Sequence, residues 1–318
     1  MPPIFNIIVQ RIALGVLTLF IVSVLIFIGV EALPGDLAEA ILGQLATPDA
    51  LAALREKLGL DRPAPERYLE WVNNALHGDF GNSLATGRDV VDMISGRLSN
   101  TLFLAGVSAL VAIPIALCLG ICAALYRESR FDKMASALTL CTISFPEYFV
   151  GYILIVLLAV ELQLFPSFVR LTSTMDLWER LYAITLPVLT LVLIVIAHMM
   201  RMTRAAVINV LAAPYIEMAR LKGIRKKRII LHHALPNALS PIITVVALNL
   251  AFMVVGVVLI EVVFVYPGLG QLLVDSVAKR DLPVVQASCL IFAATYILLN
   301  LLSDVISTLA NPRLRHSR

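Results

Sequence analysis

Six long apolar runs, separated by polar connections of unequal length, set the hydrophobic pattern of this chain. A transmembrane α-helix needs about 20 consecutive apolar residues, and each run is long enough to provide one. The runs cover residues 12–30, 101–126, 134–160, 181–200, 240–260 and 282–303. Pro146 and Glu147 interrupt the third run. The pattern therefore predicts an all-α, polytopic membrane protein with six transmembrane helices.

The first apolar run has two interpretations, a cleaved signal peptide or a permanent membrane span. A signal peptide has a shorter apolar core, a basic start and a small-residue cleavage site. Here only Arg11 precedes a long run, and Leu33-Pro34-Gly35 follows it. We therefore expect an uncleaved first span.

Residues 31–100 form a polar segment with eleven acidic and six basic residues. Thr47 as N-cap and Gly59 as C-cap predict one short helix, and Pro65 opens a second helix that ends at Leu76. A turn cluster follows, in which His77 and Asp79 are interpreted as turn residues rather than as a metal or base site. The segment is too small to be a catalytic unit.

The distribution of basic residues orients the six spans. Residues 201–228 contain eight Lys and Arg residues against one acid, Glu217, and the connection 127–133 and the tail 311–318 contain three each. The connections 161–180 and 266–281 contain two each. Because basic connections stay in the cytoplasm, both termini are predicted there, and the acidic segment 31–100 is predicted outside.

Composition agrees with this class. Of the 318 residues, 59% are hydrophobic and 15% are charged, whereas a soluble domain has about 25% charged residues. The four cysteines lie in apolar runs. Cys118 and Cys122 share a helix face, and we interpret them as packing residues rather than as a metal pair.

The loop between the fourth and fifth runs contains a short amphipathic helix. Pro214 suits the first helical position and Gly223 suits the C-cap. An apolar stripe is predicted on one side of this helix, with Arg220 and Lys222 displaced toward the other side. The stripe comprises Tyr215, Met218, Ala219 and Leu221. A basic loop with such a helix indicates a docking site for a soluble partner.

Five positions of this loop resemble the EAA-x3-G-x9-I-x-LP motif of the membrane-spanning subunits of bacterial ABC importers. They are Glu217, Ala219, Gly223, Leu235 and Pro236. Met218 and His233 depart from the motif, but neither change removes the helix, its cap or the Leu-Pro ending. The resemblance assigns Tyr215, Arg220 and the five matched residues to coupling with an ATPase.

Further motifs resemble the dipeptide/oligopeptide/nickel permeases, and in particular the subunit with a large segment after its first span. These motifs are Leu33-Pro34-Gly35-Asp36, Leu58-Gly59-Leu60-Asp61-Arg62-Pro63, residues 78–83, residues 97–102, Arg201-Met202-Thr203-Arg204, residues 264–270 and residues 311–315. The resemblance spans nearly the whole chain.

This resemblance implies a set of partners in the bacterial cytoplasmic membrane. They are a second permease, two ATP-binding subunits that hold ATP and Mg, and an extracytoplasmic substrate-binding protein. The chain itself has no P-loop, no HExxH and no GxSxG, so it is expected to be non-catalytic and to bind no cofactor or metal. The basic run 226–228 lacks the aromatic interleaving of a nucleic-acid site, so only lipid and protein contacts are expected.

The resemblance implies ATP-driven import of di- or oligopeptides by alternating access. Nickel chelates, glutathione and opines remain alternative substrates. An ion-coupled secondary transporter with Glu147 and Asp304 as proton sites is a further alternative, but it predicts an inverted repeat that the sequence does not show. A scaffold that binds a cytoplasmic protein without transport is another.

Ionisable residues within spans are candidate functional groups. Glu147 follows a helix-breaking proline. It either faces the translocation path, where it meets an ammonium or another cation, or it forms an interhelical hydrogen bond or lies near the membrane edge. Pro146 and Asn249 are assigned to the same path, whereas His198 is interpreted as a packing residue. The predicted organisation is 1–30 (N-terminus and first span), 31–100 (extracytoplasmic segment), 101–310 (five-helix core, coupling loop 205–236) and 311–318 (tail).

Overall fold

The structure, a computed structural model, describes residues 3–32, 47–57, 59–172, 174–225 and 228–310. The predicted tail 311–318, the motif at residues 33–36, and Lys226 and Lys227 lie outside the described residues. The described chain is helical, apart from loops and one isolated bridge between Asn82 and Asp89. The α-helices are α1 (Pro3–Glu31), α2 (Pro48–Lys57), α3 (Ala64–Leu76), α4 (Val90–Leu125), α5 (Arg130–Ser144), α6 (Glu147–Leu154), α7 (Leu177–Ala183), α8 (Thr185–Leu211), α9 (Pro214–Leu221), α10 (Leu235–Val263), α11 (Leu269–Ala278) and α12 (Leu282–Ala310).

Five of the described helices are long and apolar enough to cross a membrane, and the count is six if the bent pair formed by α5 and α6 is one span. The five contain residues 8–31, 90–125, 185–211, 229–254 and 282–306. The all-α, polytopic fold predicted from the apolar runs is therefore confirmed.

The chain divides into two compact units. One takes its residues from Met1–Leu14, Leu102–Tyr266 and Leu298–Arg318, and the other from Gly15–Thr101 and Pro267–Ile297. The predicted division at residues 30, 100 and 310 remains a prediction.

In the unit that contains Gly15–Thr101, the two predicted short helices are present. The Ala50 amide lies 3.3 Å from Thr47 Oγ1, as expected for the N-cap, and Gly59 has a φ of +64° after α2. Tyr68 and Trp71 of α3 pack their rings against Phe27 of α1. The aromatic positions of α3 therefore attach the polar segment to the first span.

The second span begins earlier than its apolar run. Asp89 Oδ1 accepts hydrogen bonds from the amides of Val91 (2.7 Å) and Asp92 (3.2 Å), so this side chain caps α4 at its N-terminus. The last eleven residues of the predicted polar segment are consequently helical, because a capping residue starts a helix wherever its side chain satisfies the free amides.

The third predicted span is two helices bent by 101°. Phe145 and Pro146 both have extended backbones, with ψ of 141° and 146°. A proline has no amide to donate and disfavours the α conformation of the residue before it, so two successive extended residues turn the chain. The sequence predicted the position of this break but not its angle.

In the unit that contains Leu102–Tyr266, α8 is the central helix and packs against α5, α6 and α10. Gly120 of α4 allows a close approach to α8: a β-carbon at this position would lie 2.8 Å from both the carbonyl oxygen of Met200 and Cβ of Thr203. This contact brings two backbones together where no other residue type fits.

Candidate functional site

The candidate site is the loop that follows α8, and its central element is α9. Ala213 is extended (φ −70°, ψ 144°) and precedes Pro214, which takes the first helical position. The proline ring has no N–H, and the first amides of a helix lack intrahelical partners in any case, so this start has no hydrogen-bonding cost. The helix begins where the sequence predicted.

Gly223 ends this helix with a Schellman motif. Its φ is +73°, its amide donates to the carbonyl of Arg220 (2.9 Å), and the Ile224 amide donates to the carbonyl of Ala219 (3.2 Å). These two bonds satisfy carbonyls at the end of the helix, and the left-handed conformation they require favours glycine. The predicted C-cap region is therefore correct, with Lys222 as the C-cap residue and Gly223 immediately after it.

The inward face of α9 differs from the predicted stripe. Ile216 and Ala219 are the buried residues of this helix, and they pack with Ile229 and Ala234. Of the four predicted stripe residues, only Ala219 lies on this face. The sequence did not predict this buried face, because helical spacing alone cannot show that the segment after the loop folds back over the Ile216 side.

The outward face of α9 is both apolar and exposed. Met218 is 54% exposed, Leu221 is 75% exposed and Tyr215 is 37% exposed. Glu217 and Arg220 are also exposed. Within the described chain, this face is uncovered, and it combines apolar side chains with charges of both signs.

Leu235 and Pro236 connect the loop to the next span. A π-helical segment, Ile229–Ala234, leads directly into α10, which begins at Leu235, and Pro236 lies in the first turn of that helix. The segment that covers the inward face of α9 is thus the start of a continuous helical rod. α9 therefore packs directly against the start of this rod.

An ion pair that the sequence did not suggest lies near the C-terminal end of α8. Arg204 donates two hydrogen bonds to the carboxylate of Asp132 on α5, with Nε to Oδ1 at 2.6 Å and Nη2 to Oδ2 at 2.8 Å. Asp132 is buried and also accepts from the Glu128 amide at 2.9 Å. The pair is bidentate and joins α5 to α8. Its members are 72 residues apart in sequence, so spacing gave no signal for it.

The three residues assigned to a translocation path are all close to α10. Asn249 belongs to this helix, Glu147 lies against it, and Pro146 precedes Glu147 in the chain. The Glu147 carboxylate lies against Gly256 of that helix: Oε2 would be 3.1 Å from a β-carbon at position 256. Pro146 precedes α6 and is exposed. Asn249 is buried (6% exposed) and donates to the Val245 carbonyl at 2.8 Å. The structure thus brings Glu147 and Asn249 to one helix, and their role in a path stays a prediction.

Comparison with known proteins identifies the family. The family of binding-protein-dependent transport system inner membrane components matches residues 116–316, and the N-terminal family of membrane components of such systems matches residues 4–105. The glutathione transport system permease proteins GsiC of Escherichia coli (strain K12) and of Shigella dysenteriae serotype 1 (strain Sd197) are each 39% identical to this chain over 311 residues. The matched region is 98% of this chain and 99% of each relative.

These similarities include the candidate loop and every candidate span. Proteins of this family are non-catalytic, multi-pass components of the inner membrane that act with ATPase and binding-protein partners. The chain belongs to the inner-membrane components of binding-protein-dependent transport systems, and it is a permease subunit of an ABC importer of the dipeptide/oligopeptide/nickel type.

Proposed function

We propose that this permease imports short peptides, a class that includes glutathione. The observation that supports this is the end-to-end similarity to the GsiC permeases, whose name specifies glutathione, a tripeptide. Nickel chelates and opines are the competing substrates within the family. Among the described residues, no group of three His, Cys, Asp or Glu side chains could hold a metal ion.

The proposed assembly contains one copy of this chain and a second, related permease, with one ATP-binding subunit attached to each and a binding protein outside. Both termini and the loop 205–236 lie in the cytoplasm, and residues 31–100 face outward. The excess of Lys and Arg in residues 201–228 supports this orientation, because basic connections are retained on the cytoplasmic side.

In this assembly, α9 is the coupling element. Its exposed residues Tyr215, Met218 and Leu221 contact the ATPase partner, while Ile216 and Ala219 transmit movement to the rod that begins at Ile229. The partner binds ATP and Mg and supplies the energy of hydrolysis. The helices of this chain move as rigid bodies in the cycle. When the ATPases close, α9 moves with them, and the spans change from outward to inward access.

The coupling role is tested by Gly223→Asp. Position 223 has open space around it, so an added side chain causes backbone strain and obstructs the partner without a clash inside this chain. We expect normal insertion and retained ATPase activity in the complex, but uptake below about a tenth of the wild-type rate, since interface residues at the centre of a contact contribute most of its energy.

Gly78→Asp is the matched control. Gly78 also has a left-handed backbone (φ +79°) and open space around it, but it lies outside the loop. The control variant is expected to retain uptake. Normal uptake in Gly223→Asp, at a normal protein level, contradicts the coupling assignment.

The substrate class is tested with the complete complex in proteoliposomes. ATP-dependent uptake of a tripeptide is the expected result, measured against a nickel chelate and an opine. Uptake of either competitor without uptake of any peptide overturns the proposed substrate.

A further inference from the structure

The carboxylate of Glu147 lies at the bend between α5 and α6, the helix pair that forms the third candidate span, and it has no partner in the described chain. None of the described hydrogen bonds or ion pairs includes it, and its side chain is only partly exposed. Removing an ionised carboxylate from water costs several kcal/mol unless a cation or hydrogen-bond donors replace the water. A cationic ligand would supply the interaction that the described chain does not provide to this carboxylate.

Gly256 creates the space that this carboxylate occupies. A β-carbon on residue 256 would approach Glu147 Oε2 to 3.1 Å, closer than an ordinary contact. The carboxylate therefore lies directly on the backbone of α10. Pro146 fixes the backbone position of Glu147, because Pro146 is extended and α6 begins at the next residue, Glu147.

The same side of α10 continues from this point as a partly polar strip. Asn249, Phe252 and Gly256 follow an i, i+3, i+7 spacing and share one face of the helix. The rise of 1.5 Å per residue places Asn249 about 10 Å from Gly256. Phe252 lies between Asn249 and Gly256 on this face, and its ring is 5.8 Å from the ring of His198. Glu147 is therefore at one end of a strip that also contains an amide and an imidazole.

We propose that Glu147, held against Gly256, is a binding subsite for the α-ammonium group of the transported peptide. The inference rests on the proposed function, since it requires a substrate with a free amino group. An ammonium donates charge-assisted hydrogen bonds to a carboxylate and cancels its charge. A single carboxylate fits a primary ammonium better than a divalent metal ion, which requires several ligands.

The experiment compares two substrates in the reconstituted complex, a tripeptide with a free α-amine and its N-acetylated form. Glu147→Gln is expected to lower kcat/KM for the free-amine peptide by about 10-fold or more, the scale of one hydrogen bond to a charged group. The same substitution should leave kcat/KM for the N-acetylated peptide unchanged. The matched control is Glu161→Gln, because Glu161 is an exposed acid at the end of the π-helical segment Ile155–Glu161 that continues α6.

A second readout does not depend on delivery by the binding protein. Modification of Glu147 by dicyclohexylcarbodiimide, followed by mass spectrometry of the complex in detergent, should be slowed by n-butylammonium and not by n-butanol. Equal effects of Glu147→Gln on both peptides, or no protection by the amine, overturn the subsite. Failure of the wild-type complex to transport any peptide instead overturns the proposed function.

Discussion

The close approach of α4 and α8 at Gly120 gives a prediction whose size follows from the geometry. In Gly120→Ala, the new β-carbon would meet the Met200 carbonyl oxygen and Thr203 Cβ at 2.8 Å. Neither atom can rotate away, because one belongs to the backbone and the other is fixed to it. The two helices must separate, and overpacking of this kind costs about 1–3 kcal/mol.

The substitution also has a favourable effect that must be subtracted. Replacing glycine by alanine within a helix gains about 0.5–1 kcal/mol of backbone entropy and propensity. Gly106→Ala isolates this gain, because Gly106 lies in the same helix and a β-carbon added there would have no neighbouring atom within 4 Å. The difference in unfolding free energy between the two variants is therefore the overpacking cost alone, about 1–3 kcal/mol.

Thermal unfolding of the purified variants in detergent, followed by tryptophan fluorescence, measures this difference. Gly106→Ala should unfold at or slightly above the wild-type temperature, and Gly120→Ala clearly below it. If both variants shift the unfolding temperature equally, α4 and α8 do not make this contact.

Two further predictions concern elements around the loop. Asp132→Asn removes the charge that holds Arg204, and it should lower the free energy of unfolding by about 2–3 kcal/mol. This loss is smaller than the full cost of breaking a buried pair, because the Arg204 side chain is 28% exposed. Chemical denaturation measures the loss, and an unchanged midpoint refutes the prediction. Ile216→Ala should cost about 2–4 kcal/mol of stability because the side chain is fully buried. Leu221→Ala should change stability by less than about 0.5 kcal/mol but weaken co-purification of the ATPase; the opposite ranking of these two variants would reverse the assignment of the two faces.

The features that the sequence predicted correctly are local. A run of about 20 apolar residues is sufficient for a span, and Pro214 with Gly223 is sufficient to start and end α9. The 101° bend could only be located, because Pro146 breaks the helix but the packing of α6 against α8 and α10 determines its direction.

The features that the sequence missed depend on distant parts of the chain. Ile216 is buried because Ile229 and Ala234 return over it, and this contact sets which face of α9 remains open. Asp132 and Arg204 meet only after α5 and α8 pack together. Neither arrangement has a signature in the spacing of nearby residues.

The π-helical segment Ile229–Ala234 and α10 form one continuous helical rod. The combined rod is roughly 50 Å long at 1.5 Å per residue. A π-helical turn contains one residue more than an α-helical turn. If this extra residue moved along the helix by one position, the rod on one side of it would rotate by about 100° and advance by about 1.5 Å. Such a shift would rotate the face of α10 that contains Gly256 relative to α9, while it moved the rod by only about 1.5 Å.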